Sequence, residues 1–132
     1  MDSPDKLYHF TAVGRLPLVM EFGITRGDVP ITPSGGYNAP WLTADPSFAS
    51  QGWSTGSIED KRQMRLTVEI PASHRNLLNK WTDIAEAEGM NPLWLRALHE
   101  SGGGGHDKWY VYHGVIQPVW ITYFALDKKG GV

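Results

Sequence analysis

The alternation of apolar and polar residues between Gln63 and Ile70 constrains the fold of this chain more than any other feature. Met64, Leu66, Val68 and Ile70 are apolar, and the residues between them are polar. A period of two residues places the apolar side chains on one face of a β-strand and the polar side chains on the other. The segment therefore predicts a strand of an antiparallel sheet that buries one of its two faces.

Shorter segments predict the remaining strands and helices. Leu7–Thr11 is predicted to be a strand because of its aromatic and β-branched content, and further strands are predicted over residues 41–43, 108–116 and 119–126. Helices are predicted over residues 16–22, 82–88 and 91–100, the first two closed by Gly23 and Gly89 and the last begun by Asn91 and Pro92. Residues 26–40, rich in Pro, Gly and Asn, are predicted to be a loop.

The length and the mixture of elements predict one α+β domain. The chain has 132 residues, the size of a single domain, and 41% of them are apolar, which is enough for one core. We expect the domain to span residues 1–132, with 127–132 as a flexible tail. Fifteen glycines and nine prolines predict many turns, and six tryptophans exceed what a small core needs, which hints at an aromatic-lined cleft.

Composition also excludes several classes of chemistry. The chain has no cysteine, which rules out disulfides, zinc–thiolate sites and cysteine nucleophiles, and fits a reducing compartment. Its polar start lacks a signal-peptide pattern, and no stretch approaches the ~18 apolar residues of a membrane helix, so we expect a cytoplasmic protein without a membrane partner. A net charge of −2 gives no electrostatic basis for indiscriminate nucleic-acid or membrane binding, although it leaves a specific site possible.

Three local motifs are better explained without function. Residues 52–56 match G-x-S-x-G, but the flanking strand and helix of a hydrolase elbow are missing from the sequence pattern. Residues 102–108 combine glycines with a lysine, but they lack the G-K-[ST] ending that holds phosphate and magnesium, so a flexible loop is the better reading. The five histidines show no metal-ligand spacing, and we expect no metal site.

Four segments in order resemble the ADP-ribosyltransferase superfamily, including its compact bacterial, toxin-type and phage-type members. They are Tyr8-His9-Phe10-Thr11, then Trp41-Leu42-Thr43-Ala44-Asp45, then Trp53, then 108–112. Each segment is short and degenerate, so their order over residues 7–126 carries the similarity. The resemblance implies two small, mainly antiparallel sheets that form a cleft with short helices. It also implies that NAD is the co-substrate, that nicotinamide is released, and that ADP-ribose passes to a macromolecular acceptor, a protein or a nucleic acid.

The resemblance assigns a role in NAD binding to eight residues. His9 is expected to hydrogen-bond a ribose hydroxyl and to act in catalysis, and the backbone of Phe10 is expected to hold the nicotinamide amide. Trp41 and Trp53 match the two aromatic positions that flank the nicotinamide ring, although core packing would explain either of them equally well. Arg65 would contact the pyrophosphate, unless it is a solvated surface arginine. The remaining cofactor-binding residues are Tyr8, Thr11 and Thr43.

The catalytic carboxylate is where the sequence departs from the family. Many members have Glu near the start of the late aromatic strand, and aligning that strand at Trp109 places Lys108 at the acid position. Asp107, one residue earlier, is the candidate catalytic acid, with a turn residue as its alternative reading. Glu69 and Glu100 are the next acids in line.

Several functions therefore remain open at the level of sequence. The first is an NAD-dependent ADP-ribosyltransferase, with NAD hydrolysis or RNA 2′-phosphotransfer as variants of the same class. The second is a non-catalytic module that binds NAD, another nucleotide or a partner protein. The third is a plain structural domain, for which NAD would leave stability unchanged.

Overall fold

The computed structural model describes residues 4–48, 63–101 and 105–126 of the chain. Within these ranges the strands are β1 Leu7–Thr11, β2 Asp28–Thr32, β3 Gly35–Asn38, β4 Trp41–Thr43, β5 Met64–Val68, β6 Leu78–Lys80, β7 Trp109–Tyr112 and β8 Ile121–Leu126. The α-helices are α1 Leu16–Phe22, α2 Trp81–Glu88 and α3 Pro92–Ser101. Short 3-10 helices cover Val13–Arg15, Ala72–Leu77, His106–Lys108 and Pro118–Trp120. The prediction of an α+β chain with antiparallel sheets is confirmed.

Six of these strands form one antiparallel sheet, and two form a separate hairpin. The order in the large sheet is β6-β7-β4-β1-β5-β8, and β2 pairs with β3. The segment with alternating apolar and polar residues forms β5, which lies between β1 and β8 and pairs with both. Its apolar residues Met64, Leu66 and Val68 are buried, as the alternation predicts.

The large sheet is nearly divided between β1 and β4. These strands share a single register pair, in which Tyr8 lies opposite Thr43. All residues of both strands are described, so the pair count covers the full length of each strand. In contrast, β1 pairs with β5 along its whole length, from Leu7 to Thr11. The sheet therefore consists of two halves, β6-β7-β4 and β1-β5-β8, whose adjoining strands have a single register pair.

A hydrophobic core lies on each side of β7, because neighbouring residues of a strand point to opposite faces. Tyr112 belongs to a core with Leu42, Leu66 and Val19 of α1. Val111 belongs to a second core, in which Trp81, Ile84 and Ala85 of α2 pack with Val29 of β2 and Met90, and Leu95 and Leu98 of α3 lie against them. The first core supports α1, and the second holds the hairpin and the two later helices against the sheet.

The helix boundaries follow the predicted capping residues. The helix α2 ends at Gly89, which adopts the left-handed conformation at φ 63° and ψ 38°. The side-chain oxygen of Asn91 accepts hydrogen bonds from the backbone N–H of Leu93 and Trp94 at 2.9 and 3.2 Å, which is the N-cap arrangement. Gly23 follows α1 with a positive φ of 85°, but its ψ of −171° is extended and not helical.

The prediction of a loop over residues 26–40 is wrong. Most of that segment forms the β2–β3 hairpin, in which Val29 is fully buried and Pro30 lies in a strand that has no partner on its other side within the described chain. β6 was not predicted either, and β7 ends at Tyr112 and not at residue 116. No helix within the described ranges is long and apolar enough to cross a membrane.

Candidate functional site

A large cavity opens along β1, beside the division of the sheet. Its volume is about 1180 Å³, and its walls are β1, α1, the β2–β3 hairpin, β4 and a group of tryptophans. We call it the β1 cleft. Pockets for drug-sized ligands have volumes of about 300–1,000 Å³, so this cleft has room for a molecule as large as a dinucleotide.

Six of the residues predicted to bind NAD line the β1 cleft together. They are Tyr8, His9, Phe10, Thr11, Trp41 and Thr43. The residues come from two strands that are far apart in sequence, and the single register pair between Tyr8 and Thr43 joins those strands. Trp53 lies outside the described residues, as do the G-x-S-x-G segment and residues 102–104 of the glycine run.

His9 connects the two halves of the sheet where they separate. Its Nδ1 lies 2.9 Å from the backbone oxygen of Trp41, the first residue of β4. A carbonyl oxygen can only accept a hydrogen bond, so Nδ1 carries the proton and donates. In the neutral ring Nε2 is then an acceptor. The sequence predicted His9 as a ligand contact, and the geometry gives it a second task, which is to hold β4 against β1.

Three tryptophans form an aromatic wall at the β4 side of the cleft. The ring of Trp41 contacts that of Trp81, at a centroid distance of 5.1 Å, and that of Trp109, at 5.7 Å. The indole N–H of Trp41 donates to the backbone oxygen of Asp28 at 2.8 Å. All three rings line the cleft, and their edge-to-face and tilted contacts fix each of them in place. Sequence reasoning identified Trp41 but missed Trp81 and Trp109, for which the surplus of tryptophan was the available signal.

Charged side chains outside the predicted set of NAD-binding residues also line the cleft. Arg15 follows β1, and Arg26 and Asp28 stand at the start of the hairpin, and all three are exposed. Among the described residues of the cleft wall, Asp28 is the acidic one. Two guanidinium groups in a cleft suit a ligand with phosphate oxygens, because they can bind such oxygens in a bidentate manner.

Arg65 lies outside the cleft wall, where it packs among aromatic rings. Its guanidinium carbon lies 5.4 Å from the ring centroid of Tyr8 and 5.5 Å from that of Phe48. One terminal nitrogen donates to the backbone oxygen of Pro46 at 2.9 Å. These contacts give Arg65 a structural role in holding residues 46–48 against β1. Its predicted contact with a pyrophosphate stays a prediction.

Asp107 also lies outside the wall of the cleft. It is exposed in the 3-10 helix His106–Lys108 that leads into β7, next to Trp109 of the aromatic wall. Lys108 is exposed as well, and its backbone oxygen accepts from Ala44 at 2.9 Å. The two alternative acids have other partners. Glu69 accepts a hydrogen bond from the hydroxyl of Thr122, and Oε2 of Glu100 lies 3.8 Å from Nε of Arg96. Asp107 as the catalytic acid stays a prediction.

A stacked pair of histidines fixes the turn that contains Asp107. The rings of His99 and His106 are 3.7 Å apart and nearly parallel. Trp81 donates its indole N–H to Nε2 of His99 at 2.9 Å, so that nitrogen must be unprotonated. Burial, and to a smaller extent the nearby His106, lower the pKa of His99 below its ordinary value. A neutral His99 therefore links α3 to the aromatic wall.

Neither a scan of protein-family models nor a search of curated proteins finds a match for this sequence. The described residues contain no group of three or more histidine, cysteine or acidic side chains that would hold a metal ion.

Proposed function

We propose that the protein is an NAD-dependent ADP-ribosyltransferase that transfers ADP-ribose to a macromolecular acceptor in the cytoplasm and releases nicotinamide. The observation that carries this proposal is the position of His9 at the division between β1 and β4, in a cleft walled by tryptophans. The cleft combines the groups that NAD requires. These groups are an oriented imidazole, aromatic rings and two cationic side chains.

Three parts of NAD would find a counterpart in the cleft wall. The nicotinamide ring is cationic, and indole faces such as those of Trp41 and Trp109 attract cationic rings. The Nδ1 of His9 already donates to the backbone oxygen of Trp41, so a ribose hydroxyl would donate to Nε2. The pyrophosphate would pair with Arg15 and Arg26, which line the same cleft, in preference to Arg65, which does not.

The reaction also needs a negative charge near the ribose. Breaking the bond between ribose and nicotinamide develops positive charge on the sugar, and a carboxylate nearby stabilises that transition state. Two acids compete for this role. Asp107 is the acid that the resemblance implies, and Asp28 is the acid that lines the cleft.

We expect nicotinamide release from NAD by the wild-type protein and a loss of about 10²-fold in that rate when the true acid is replaced by its amide. The measurement compares Asp107→Asn with Asp28→Asn, and Glu86→Gln serves as the control because Glu86 is exposed on α2 away from the cleft. The variant with the large loss identifies the acid. Equal rates in wild type and in both variants would reject both acids.

A non-catalytic NAD-binding module is the second candidate, and the exposed position of Asp107 outside the cleft favours it. This function predicts that NAD stabilises the protein without release of nicotinamide. A ligand at ~100 times its dissociation constant adds about 2.7 kcal/mol of stability, so a thermal shift at millimolar NAD separates binding from no binding. If NAD causes no thermal shift and no nicotinamide is released, both candidate functions are wrong.

A further inference from the structure

A chain of three polar side chains begins at the wall of the β1 cleft. The hydroxyl of Tyr37, on β3, lies 2.9 Å from Nε2 of His113. Nδ1 of the same histidine lies 2.9 Å from the side-chain oxygen of Asn79 on β6. Tyr37 lines the cleft, and its two partners extend away from it. Tyr37 lies in the hairpin and Asn79 in β6, and His113 directly follows β7.

The direction of each hydrogen bond follows from the chemistry of the groups. The amide oxygen of Asn79 can only accept, so Nδ1 of His113 donates to it. Nε2 of the neutral ring is then an acceptor, and the Tyr37 hydroxyl must donate to it. The phenol oxygen therefore keeps lone pairs that can accept a proton from another group. This order of phenol, imidazole and amide orients a base in the same way that a third group orients the base of a catalytic triad.

The backbone holds this arrangement in place. The N–H of His113 donates to the backbone oxygen of Leu77 at 2.8 Å, so the histidine is anchored to the segment that precedes β6. The rings of Tyr37 and His113 are also in contact, at a centroid distance of 5.6 Å. Burial, with a smaller contribution from the charge of Glu88, raises the pKa of Tyr37. The phenol thus remains protonated at neutral pH, as a proton relay requires.

The site lies where a macromolecular acceptor would arrive. Tyr37 is 36% exposed although it lines the cleft, and both His113 and Asn79 are exposed. An acceptor group enters the cleft from solvent, so the base that takes its proton must be reachable at the rim. Neither His9 nor the aromatic wall is used by this chain of hydrogen bonds.

We infer that Tyr37, His113 and Asn79 form the proton relay that activates the acceptor nucleophile of the transfer reaction, and water when no other acceptor is present. The inference rests on the proposed function and adds to it the residues on the acceptor side. Tyr37 is the catalytic residue, because it would touch the nucleophile. His113 and Asn79 are positioning residues that act through it.

In the proposed step, the nucleophile replaces nicotinamide on the ribose, and its proton moves along the relay. The nucleophile oxygen forms a bond to C1′ of the ribose as the bond from C1′ to the nicotinamide nitrogen breaks, and nicotinamide leaves with that electron pair as a neutral molecule. The proton of the nucleophile passes to the oxygen of Tyr37, whose own proton passes to Nε2 of His113. The imidazolium that forms keeps its Nδ1–H bond to Asn79, and it later releases the proton to solvent.

The test measures nicotinamide release with water as the acceptor, in H₂O and in D₂O, together with the affinity for NAD. We expect Tyr37→Phe to lower kcat by about 10²-fold with an unchanged Kd for NAD, because general base catalysis is lost and binding is kept. The solvent isotope effect of the wild type should also disappear. Asn79→Ala should lower kcat, and Asn79→Asp should restore most of it, because Asp keeps an acceptor for Nδ1. Tyr123→Phe, on β8 and outside the cleft, is the control that should match the wild type.

Each other outcome separates this inference from the proposed function. If Tyr37→Phe keeps the kcat and the solvent isotope effect of the wild type, the relay is wrong, while the proposed binding of NAD in the β1 cleft is unaffected. The same holds if the wild type binds NAD but releases no nicotinamide, since a working relay would activate water. A wild type that does not bind NAD would overturn the proposed function itself, and the relay with it.

Discussion

Replacing Gly23 by alanine is expected to lower the free energy of unfolding by about 3 kcal/mol. Gly23 follows α1 with φ 85°, a backbone conformation that residues with a Cβ rarely adopt. An added Cβ would also lie 2.2 Å from the backbone oxygen of Ile116. That oxygen cannot move away at low cost, because it accepts from the N–H of Ile24 at 2.9 Å, and Ile116 donates back to Ile24 at 3.1 Å.

Gly14→Ala is the matched control for this prediction. An added Cβ at Gly14 meets no atom within 4 Å, and its φ is not positive. We therefore expect a change within about 0.5 kcal/mol. Urea denaturation of both variants gives the comparison, and similar midpoints for Gly23→Ala and wild type would contradict the contact of Gly23 with Ile116. Gly23 also lines the β1 cleft, so the destabilised variant should lose NAD binding as its fold loosens.

Replacing His9 by alanine is expected to lower the rate of nicotinamide release by about 10³-fold. Two effects combine in this variant. The ribose loses a hydrogen-bonding partner, and β4 loses the bond from Nδ1 to the oxygen of Trp41 that holds it beside β1. The second effect shifts the aromatic wall relative to β1, and small errors in position are costly for the transition state.

Two further substitutions of His9 separate these effects. Asparagine carries an amide N–H at a position close to that of Nδ1, so His9→Asn should keep the bond to Trp41 and the stability while the ribose contact is lost. Glutamine reaches the position of Nε2, so His9→Gln should retain more activity than His9→Asn but less stability. Kinetics and thermal denaturation of the three variants give the answer. Full activity in His9→Asn would show that His9 serves only the fold.

Much of the fold follows from local signals in the sequence. The alternation in β5 is a period-two pattern typical of a half-buried strand, and its apolar residues Met64, Leu66 and Val68 are buried as predicted. Asn91 and Gly89 are capping residues whose side chain or freedom of backbone conformation fixes the helix ends directly. These features depend on a few neighbouring residues, which is why sequence reasoning identified them.

The hairpin was missed because its stability comes from distant contacts. Proline, glycine and asparagine are typical of loops, and Pro30 and Gly36 lie directly opposite each other in the hairpin. Val29 is nevertheless fully buried against α2 and β7, and that tertiary burial outweighs the weak local preference. The short strand β6 also depends on a partner, because it pairs with β7.

The candidate site, like the fold, could be predicted from sequence only in part. The strand that contains His9 and the start of β4 were predicted as cleft residues from their order in the chain, and they line one cavity. Trp81, Arg15 and Asp28 reach the same cavity from other elements, and no spacing in the sequence indicates that these elements converge. Their contribution becomes visible only when the two halves of the sheet and the hairpin are assembled.

An NMR titration of isotope-labelled wild-type protein with NAD is the direct test of NAD binding in the β1 cleft. We expect saturable shifts of the backbone amides of residues 8–11 and of the indole N–H signals of Trp41 and Trp109, all of which line the cleft. The amide signals of residues 121–126 in β8, at the far edge of the sheet, should remain unchanged. Saturable shifts at β8 without shifts at β1, or no saturable shifts at all, would show that NAD does not bind in the β1 cleft.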